Sequence, residues 1–244
     1  EFEESYMKQS KTFLHAKKFN QITKDSFENW IFDLDNTLYD INLGLFHKVS
    51  ERITLYIMDE LCLKKEYADR LRRKMFKKYG LTLRGLMLEK NIDPDSYLDF
   101  VHNVAHPELE VDSQLKNFLK KLHGKKFVYT NASKKHATNI LDGIGITDQF
   151  DDILDIRGTN YVPKPDPRSY KTMIRKFKIV GEELKRTVFF EDTAKNLKPA
   201  KKMGLSTVWI ENNFNRQDYE FNKKFIDFRC NNIKDFFASI SLDM

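Results

Sequence analysis

Cysteine is almost missing from this chain: Cys62 and Cys230 are the only two in 244 residues and lie far apart. That excludes a disulfide framework and any zinc-type ligand spacing. Long apolar runs are missing too, none approaching the ~20 residues that cross a bilayer, so no membrane partner is expected. The polar start Glu1-Phe2-Glu3-Glu4-Ser5 lacks the apolar stretch of a signal peptide, and a soluble cytoplasmic protein is the expectation. Blocks of one charge sign are also lacking. The 42 Lys+Arg and 36 Asp+Glu give +6, spread along the chain, so a nucleic-acid polymer is not an expected partner. There are no internal repeats and no low-complexity tracts. The length leaves room for one domain with a large insertion, or two small domains, as a monomer or a homodimer.

What is present concentrates in Trp30-Ile31-Phe32-Asp33-Leu34-Asp35-Asn36-Thr37-Leu38-Tyr39. An apolar run ends in two aspartates spaced by one residue. On an extended chain residues two apart face the same side, so Asp33 and Asp35 share one small volume at the carboxyl end of a strand. Two carboxylates so close repel each other unless a cation or a shared proton relieves them. A strand end followed by an Asx-turn is the plainer alternative for this pair alone.

The pattern then changes. Residues 1–28 read as an extension, partly helical around Phe13 to Phe19. From Gly44, the residues Phe46, Val49, Ile53, Ile57 and Leu61 recur at three- and four-residue steps and predict an amphipathic helix. Tyr67 to Tyr79, Leu83 to Lys90 and Asp95 to Val104 also favour helix, with Pro94 at a helix start and Gly80 closing a helix in a left-handed conformation. After Pro107 strands and helices alternate. Asp112 and Ser133 are expected N-caps, and strands are expected over Phe127 to Thr130, Thr187 to Phe190 and Thr207 to Ile210. Phe150 to Ile156 reads as a strand edge and Phe225 to Phe228 as a last strand. Such alternation predicts an α/β fold with a parallel sheet and helices on both faces.

Three of these strands end in groups suited to one reaction: Asp33 and Asp35, then Thr130 and Asn131, then Glu191 and Asp192. In parallel α/β sheets ligands bind beyond the carboxyl ends of the strands. Lys164, between Pro163 and Pro165, adds a cation from a loop. Asp33 and Asp192, with the backbone carbonyl of Asp35 and waters, form a hard oxygen set for Mg²⁺. With that ion present Asp33 can attack phosphorus, and Asp35 can protonate the leaving oxygen and later activate water. Thr130, Asn131 and Lys164 can hold the phosphate oxygens. Taken singly, Thr130 and Asn131 could be capping residues, Lys164 an exposed loop lysine, and Asn196 either an orienting group or the start of its own helix.

Phe32-Asp33-Leu34-Asp35-Asn36-Thr37, Tyr129-Thr130-Asn131, Lys164-Pro165 and Phe190-Glu191-Asp192 resemble the four ordered motifs of haloacid dehalogenase (HAD) superfamily hydrolases. The resemblance implies a Rossmann-like core (29–40 and 107–244) and a helical cap (41–106) inserted after the first strand. It also implies that Asp33 is the nucleophile, Asp35 the acid/base and Asp192 a metal ligand, with Thr130 and Lys164 on phosphate. By the same resemblance Glu191 would stand behind the ion's direct ligands or reach the ion through a water. Asp35-Asn36-Thr37-Leu38-Tyr39, Tyr79 to Leu86 and Phe100-Val101-His102 look like pyrimidine 5'-nucleotidase-type members. That implies a small-molecule phosphomonoester substrate such as UMP or CMP, with Arg84 and His102 as candidate contacts from the cap. Alternatives are a phosphatase or mutase acting on another small phosphometabolite such as a sugar phosphate, a haloacid dehalogenase, or a binding module without catalysis. Asp35, Thr37 and the Glu191-Asp192 pair favour phosphate chemistry.

Overall fold

A computed structural model describes residues 22–240. The helix expected over Phe13 to Phe19 lies outside the described residues. The first strand, β1 (Asn29–Phe32), is buried along its whole length, as a central strand covered on both faces must be. It lies between β2 (Lys125–Tyr129) and β4 (Thr187–Glu191). With β3 (Asp152–Leu154), β5 (Ser206–Ile210) and β6 (Phe228–Cys230) they form a six-stranded sheet in the order β3-β2-β1-β4-β5-β6. Every neighbouring pair is parallel. The chain therefore has an α/β Rossmann-like fold.

The two-residue period of a strand divides the core into two layers. Trp30, Phe32, Val128, Val188 and Phe190 face one side, where they pack with Leu115 and Leu119 of α5 (Ser113–Lys121), Ile140 of α6 (Lys134–Gly143), and Phe236 and Phe237 of α10 (Ile233–Ser239). Phe32 stacks on Phe190 at 4.8 Å, and Phe236 meets the same ring edge-on at 4.9 Å. Ile31, Phe127, Tyr129, Phe189 and Trp209 face the other side, against Tyr170 and Met173 of α7 (Pro167–Lys176) and Leu197 and Ala200 of α8 (Ala194–Lys202). The expected caps are made: Asp112 Oδ1 accepts from the amide of Leu115 at 2.9 Å, and Ser133 Oγ from that of His136 at 3.3 Å. Toward the end of the chain the sequence reading is displaced. A single 3-10 turn occupies Lys223–Phe225, after the short α9 (Tyr219–Asn222), and the strand begins at Phe228, where it pairs with Val208.

Between β1 and β2 the chain forms α1 (Leu45–Leu61), α2 (Lys65–Tyr79), α3 (Thr82–Lys90) and α4 (Pro94–Val101). These helices bury their own apolar cluster, built on Tyr56, Ile57, Met75, Leu83, Leu86, Tyr97 and Leu98. Phe46, expected on the inner stripe of α1, is about half exposed, and Leu45 is buried in its place. The buried face of α1 is set by Leu45, Val49, Tyr56 and Ile57. The α2–α3 turn requires Gly80, whose φ of 78° is left-handed and whose Cα faces Pro165 and the carbonyl of Lys164. No helix among the described residues is long and apolar enough to cross a membrane.

Candidate active site and metal centre

β1, β2 and β4 are adjacent and parallel, so their carboxyl ends open on one edge of the sheet. Asp33 follows β1 directly, and its amide donates to the carbonyl of Phe190 at 2.9 Å, which carries the ladder one residue further. Its Oδ1 accepts from Lys164 Nζ at 2.6 Å, and Thr37 Oγ1 donates to Oδ2 at 3.3 Å. The same ammonium donates to Glu191 Oε2 at 2.7 Å and to the carbonyl of Tyr129 at 3.0 Å. Lys164 is only 2% exposed, so it is no loose loop lysine. Asn131 holds its loop: the amide of Lys164 donates to Asn131 Oδ1 at 2.9 Å, and Asn131 Nδ2 donates back to the carbonyl of Lys164 at 3.4 Å. Thr130 is buried, with its Oγ1 accepting from the amide of Ala132 at 3.0 Å.

Ligand oxygens of Asp33, Glu191 and Asp192 all lie within 4.8 Å of one another. Three carboxylates thus face a single ammonium. Burial and the Glu191 carboxylate push Asp33 up to about 7, against the pull of Lys164. Burial, Glu191 and Asp33 likewise raise Asp192 well above the usual carboxylate range. One more positive charge would relieve all three groups, and the donors are hard oxygens with no sulfur or imidazole among them. Such a set fits a divalent ion of the Mg²⁺ type.

Asp35 lies apart from that cluster. Its Oδ1 accepts from Tyr39 Oη at 2.7 Å and from His136 Nε2 at 3.0 Å. Burial opposes its ionisation, but the His136 imidazole, the two hydrogen bonds and His102 outweigh it and bring Asp35 down to about 2. The two neighbouring aspartates thus sit in opposite electrostatic settings, one raised and one lowered.

His102, just beyond α4, is buried; its Nδ1 lies 2.8 Å from Ser133 Oγ and its ring stacks on His136. Burial and the adjacent His136 hold it down at about 3. Arg84 of α3 is half-buried and lies toward the Lys164 loop. There Asp166 is kept below its usual range by Arg168 first and by Arg84 as a more distant charge. Asn196 makes no hydrogen bond to Lys164; its amide donates to the carbonyl of Thr193 at 2.8 Å, and its Oδ1 is buried without a partner. Sequence reasoning passed over Tyr39 and His136. The available signal was position: His136 lies in the first turn of the helix that follows Thr130-Asn131, at the same sheet edge as Asp35.

A parallel α/β sheet with paired aspartates beyond its central strand, and a lysine and two further acids beside them, defines a hydrolase of the Rossmann-like class. The chain belongs to the haloacid dehalogenase-like hydrolase family, whose model matches residues 30–204. It is similar to Phosphate metabolism protein 8 of Saccharomyces cerevisiae, 27% identical over 194 residues that cover 73% of this chain and 60% of that protein. Among solved structures it is similar to the L-2-haloacid dehalogenase of Xanthobacter autotrophicus with chloropropionic acid covalently bound (TM-score 0.52, 14% identity, 87% of this chain and 97% of that chain). It is also similar to a HAD phosphatase from Thermococcus onnurineus (TM-score 0.52, 18% identity, 76% and 87%). At these identities the solved structures establish the fold.

Proposed function

We propose that this chain is a Mg²⁺-dependent phosphomonoester hydrolase working through an aspartyl-phosphate on Asp33, with pyrimidine nucleoside monophosphates such as UMP and CMP as substrates. The observation that carries the phosphate chemistry is the cluster of Asp33, Glu191 and Asp192 around Lys164, with Asp35 held apart by its own donors. The likeness to a yeast protein named for phosphate metabolism supports the same chemistry. The nucleotide preference rests on the resemblance of Asp35 to Tyr39, Tyr79 to Leu86 and Phe100 to His102 to the pyrimidine 5'-nucleotidase-type members. In this reading residues 41–106 are the cap over a core of 29–40 and 107–244, and Arg84 is a cap cation whose charge is felt by Asp166 of the Lys164 loop.

Asp33, Asp192 and the backbone carbonyl of Asp35 would hold the ion, with Glu191 behind these ligands or reaching the ion through water. Bound there, it supplies the positive charge that lets a carboxylate approach a phosphate dianion. Lys164, Thr130 and Asn131 bind and orient the phosphate oxygens. Asp33 Oδ attacks phosphorus and the ester P–O bond breaks, while the leaving oxygen takes a proton from Asp35. Asp35 then takes a proton from the water that attacks the acyl phosphate, which releases inorganic phosphate and restores the Asp33 carboxylate. The donors on Asp35 favour its ionised form, the one needed for the second step. A bound phosphate dianion beside it raises its proton affinity for the first.

Attack on carbon, as in a dehalogenase, gives a halide leaving group that needs no proton, so the first step would have no use for an acid at Asp35. The test is turnover of a panel of nucleoside monophosphates, sugar phosphates and 2-haloacids in Mg²⁺ and in EDTA. Phosphate release from UMP or CMP that EDTA abolishes is expected. Turnover of haloacids alone would overturn the proposal.

A further inference from the structure

Three of the six histidines in the sequence meet beside Asp35. His102 comes from the end of α4, His106 from the connection that follows, and His136 from the first turn of α6. The His136 ring is stacked on His102 at 4.5 Å, and His106 meets it edge-on at 5.6 Å. The side chains of His136 and His106 are 2% and 4% exposed. A carboxylate only accepts hydrogen bonds, so the tautomer at His136 follows from its partner: Nε2 carries the hydrogen given to Asp35. The other nitrogen, Nδ1, is buried without a partner. An imidazole is ordinarily oriented by a hydrogen bond at its second nitrogen. Here no protein group among the described residues meets Nδ1, and the His102 and His106 rings lie against the imidazole.

Both donors to Asp35, the Tyr39 hydroxyl and His136 Nε2, converge on Oδ1, and among the described residues no hydrogen bond reaches Oδ2. We propose that His136 is a positioning residue for proton transfer, pinning Asp35 Oδ1 so that Oδ2 carries the proton, with its ring plane set by His102 and His106. His102 is held in turn by Ser133, whose hydroxyl caps α6 and lies 2.8 Å from His102 Nδ1. The helical segment inserted between β1 and β2 thus reaches the acid/base through one stacked pair. The role rests on the assignment of Asp35 as proton shuttle.

The experiment compares His136→Phe, which keeps a flat ring and loses the donor, with His136→Gln, whose amide restores a donor near the Nε2 position. Leaving-group release is measured in a single turnover with enzyme in excess and Mg²⁺ present. One substrate is p-nitrophenyl phosphate, whose leaving group departs without a proton. The other is the alkyl phosphate that the parent cleaves fastest, UMP being tried first. His136→Phe should slow the alkyl phosphate by about 10- to 100-fold, within the range that general acid catalysis supplies. It should slow the aryl phosphate by less than about threefold and leave KM within about twofold, with His136→Gln recovering much of the loss. In an Asp35→Asn background His136→Phe should add nothing, since the two act as one unit. Equal slowing of both substrates, or a full further loss in that background, would overturn the positioning role. Full alkyl-phosphate activity in Asp35→Asn alone is a different failure, because it removes the shuttle. A parent that cleaves no alkyl phosphate removes the proposed function itself.

Discussion

Replacing Asp192 by Asn should stabilise the metal-free protein. The oxygens of Asp33, Glu191 and Asp192 lie within 4.8 Å of one another, and among the described residues Lys164 is the cation paired with them. At an effective dielectric near 20, two unit charges at that distance repel by about 3–4 kcal/mol. Asp192→Asn removes two such repulsions and one attraction to Lys164. Partial protonation already relieves part of the cost in the parent, since Asp33 and Asp192 are both raised. A net gain of about 1–3 kcal/mol is left, or about 3–9 °C in Tm for a chain of this size. Asn keeps an oxygen for the Thr193 hydroxyl, which donates to Asp192 Oδ1 at 3.2 Å, so no local bond need be lost. In EDTA the variant should melt above the parent. Titrated Mg²⁺ should raise the parent, by about 2.7 kcal/mol at a hundred times Kd, and move the variant much less. A variant that melts below the parent in EDTA, together with a parent Tm indifferent to Mg²⁺, would refute the view of this cluster as a cation site.

Other substitutions test neighbouring parts of the account. Lys164→Met leaves three carboxylates without a buried counter-charge; stability in EDTA should fall by about 3–5 kcal/mol, and kcat by about 10²–10³-fold, read from urea midpoints and steady-state assays. Glu211 is 5% exposed. Burial would raise it, but its links to Arg229 at 2.5 Å and Arg216 at 2.8 Å hold it below the ordinary carboxylate range. A carboxyl lowered on folding contributes stability above its unfolded pKa and loses it as pH falls through the folded one. Glu211→Gln should therefore cost about 1–2 kcal/mol at pH near 7 and much less near pH 3, as urea midpoints at the two values would show. Gly124 has φ 87°, and a Cβ there would stand 2.3 Å from the carbonyl of Glu28. Gly124→Ala should cost at least about 2 kcal/mol, and a Tm within a degree of the parent would contradict that packing.

How much was legible from sequence depended on whether the signal was local. The runs around Ile31, Val128 and Phe189 show as strands because a central parallel strand is apolar on both faces, and Asp112 and Ser133 cap helices through bonds only three residues long. Asp33, Lys164, Glu191 and Asp192 share a location that strand order makes calculable, so their convergence could be expected. Long-range pairing was not legible. Asn131 was read for the phosphate contact of its backbone amide, and nothing local announced that its side chain also clamps the backbone of Lys164, 33 residues away. His102 was read only as a candidate substrate contact, and its stacking on His136, 34 residues along the chain, had no local signal. Phe46 fits the helical period, but the period alone does not say which residue faces inward, and Leu45 takes the buried place.

The central claim is that Asp33 becomes phosphorylated during turnover. Its most direct measurement is rapid acid quenching with the fastest phosphomonoester, followed by peptide mass spectrometry. One phosphoryl group is expected on the peptide holding Asp33, labile to hydroxylamine and absent from Asp33→Asn. Turnover at the parent rate by Asp33→Asn, or a phosphoryl group found on another residue, would contradict it.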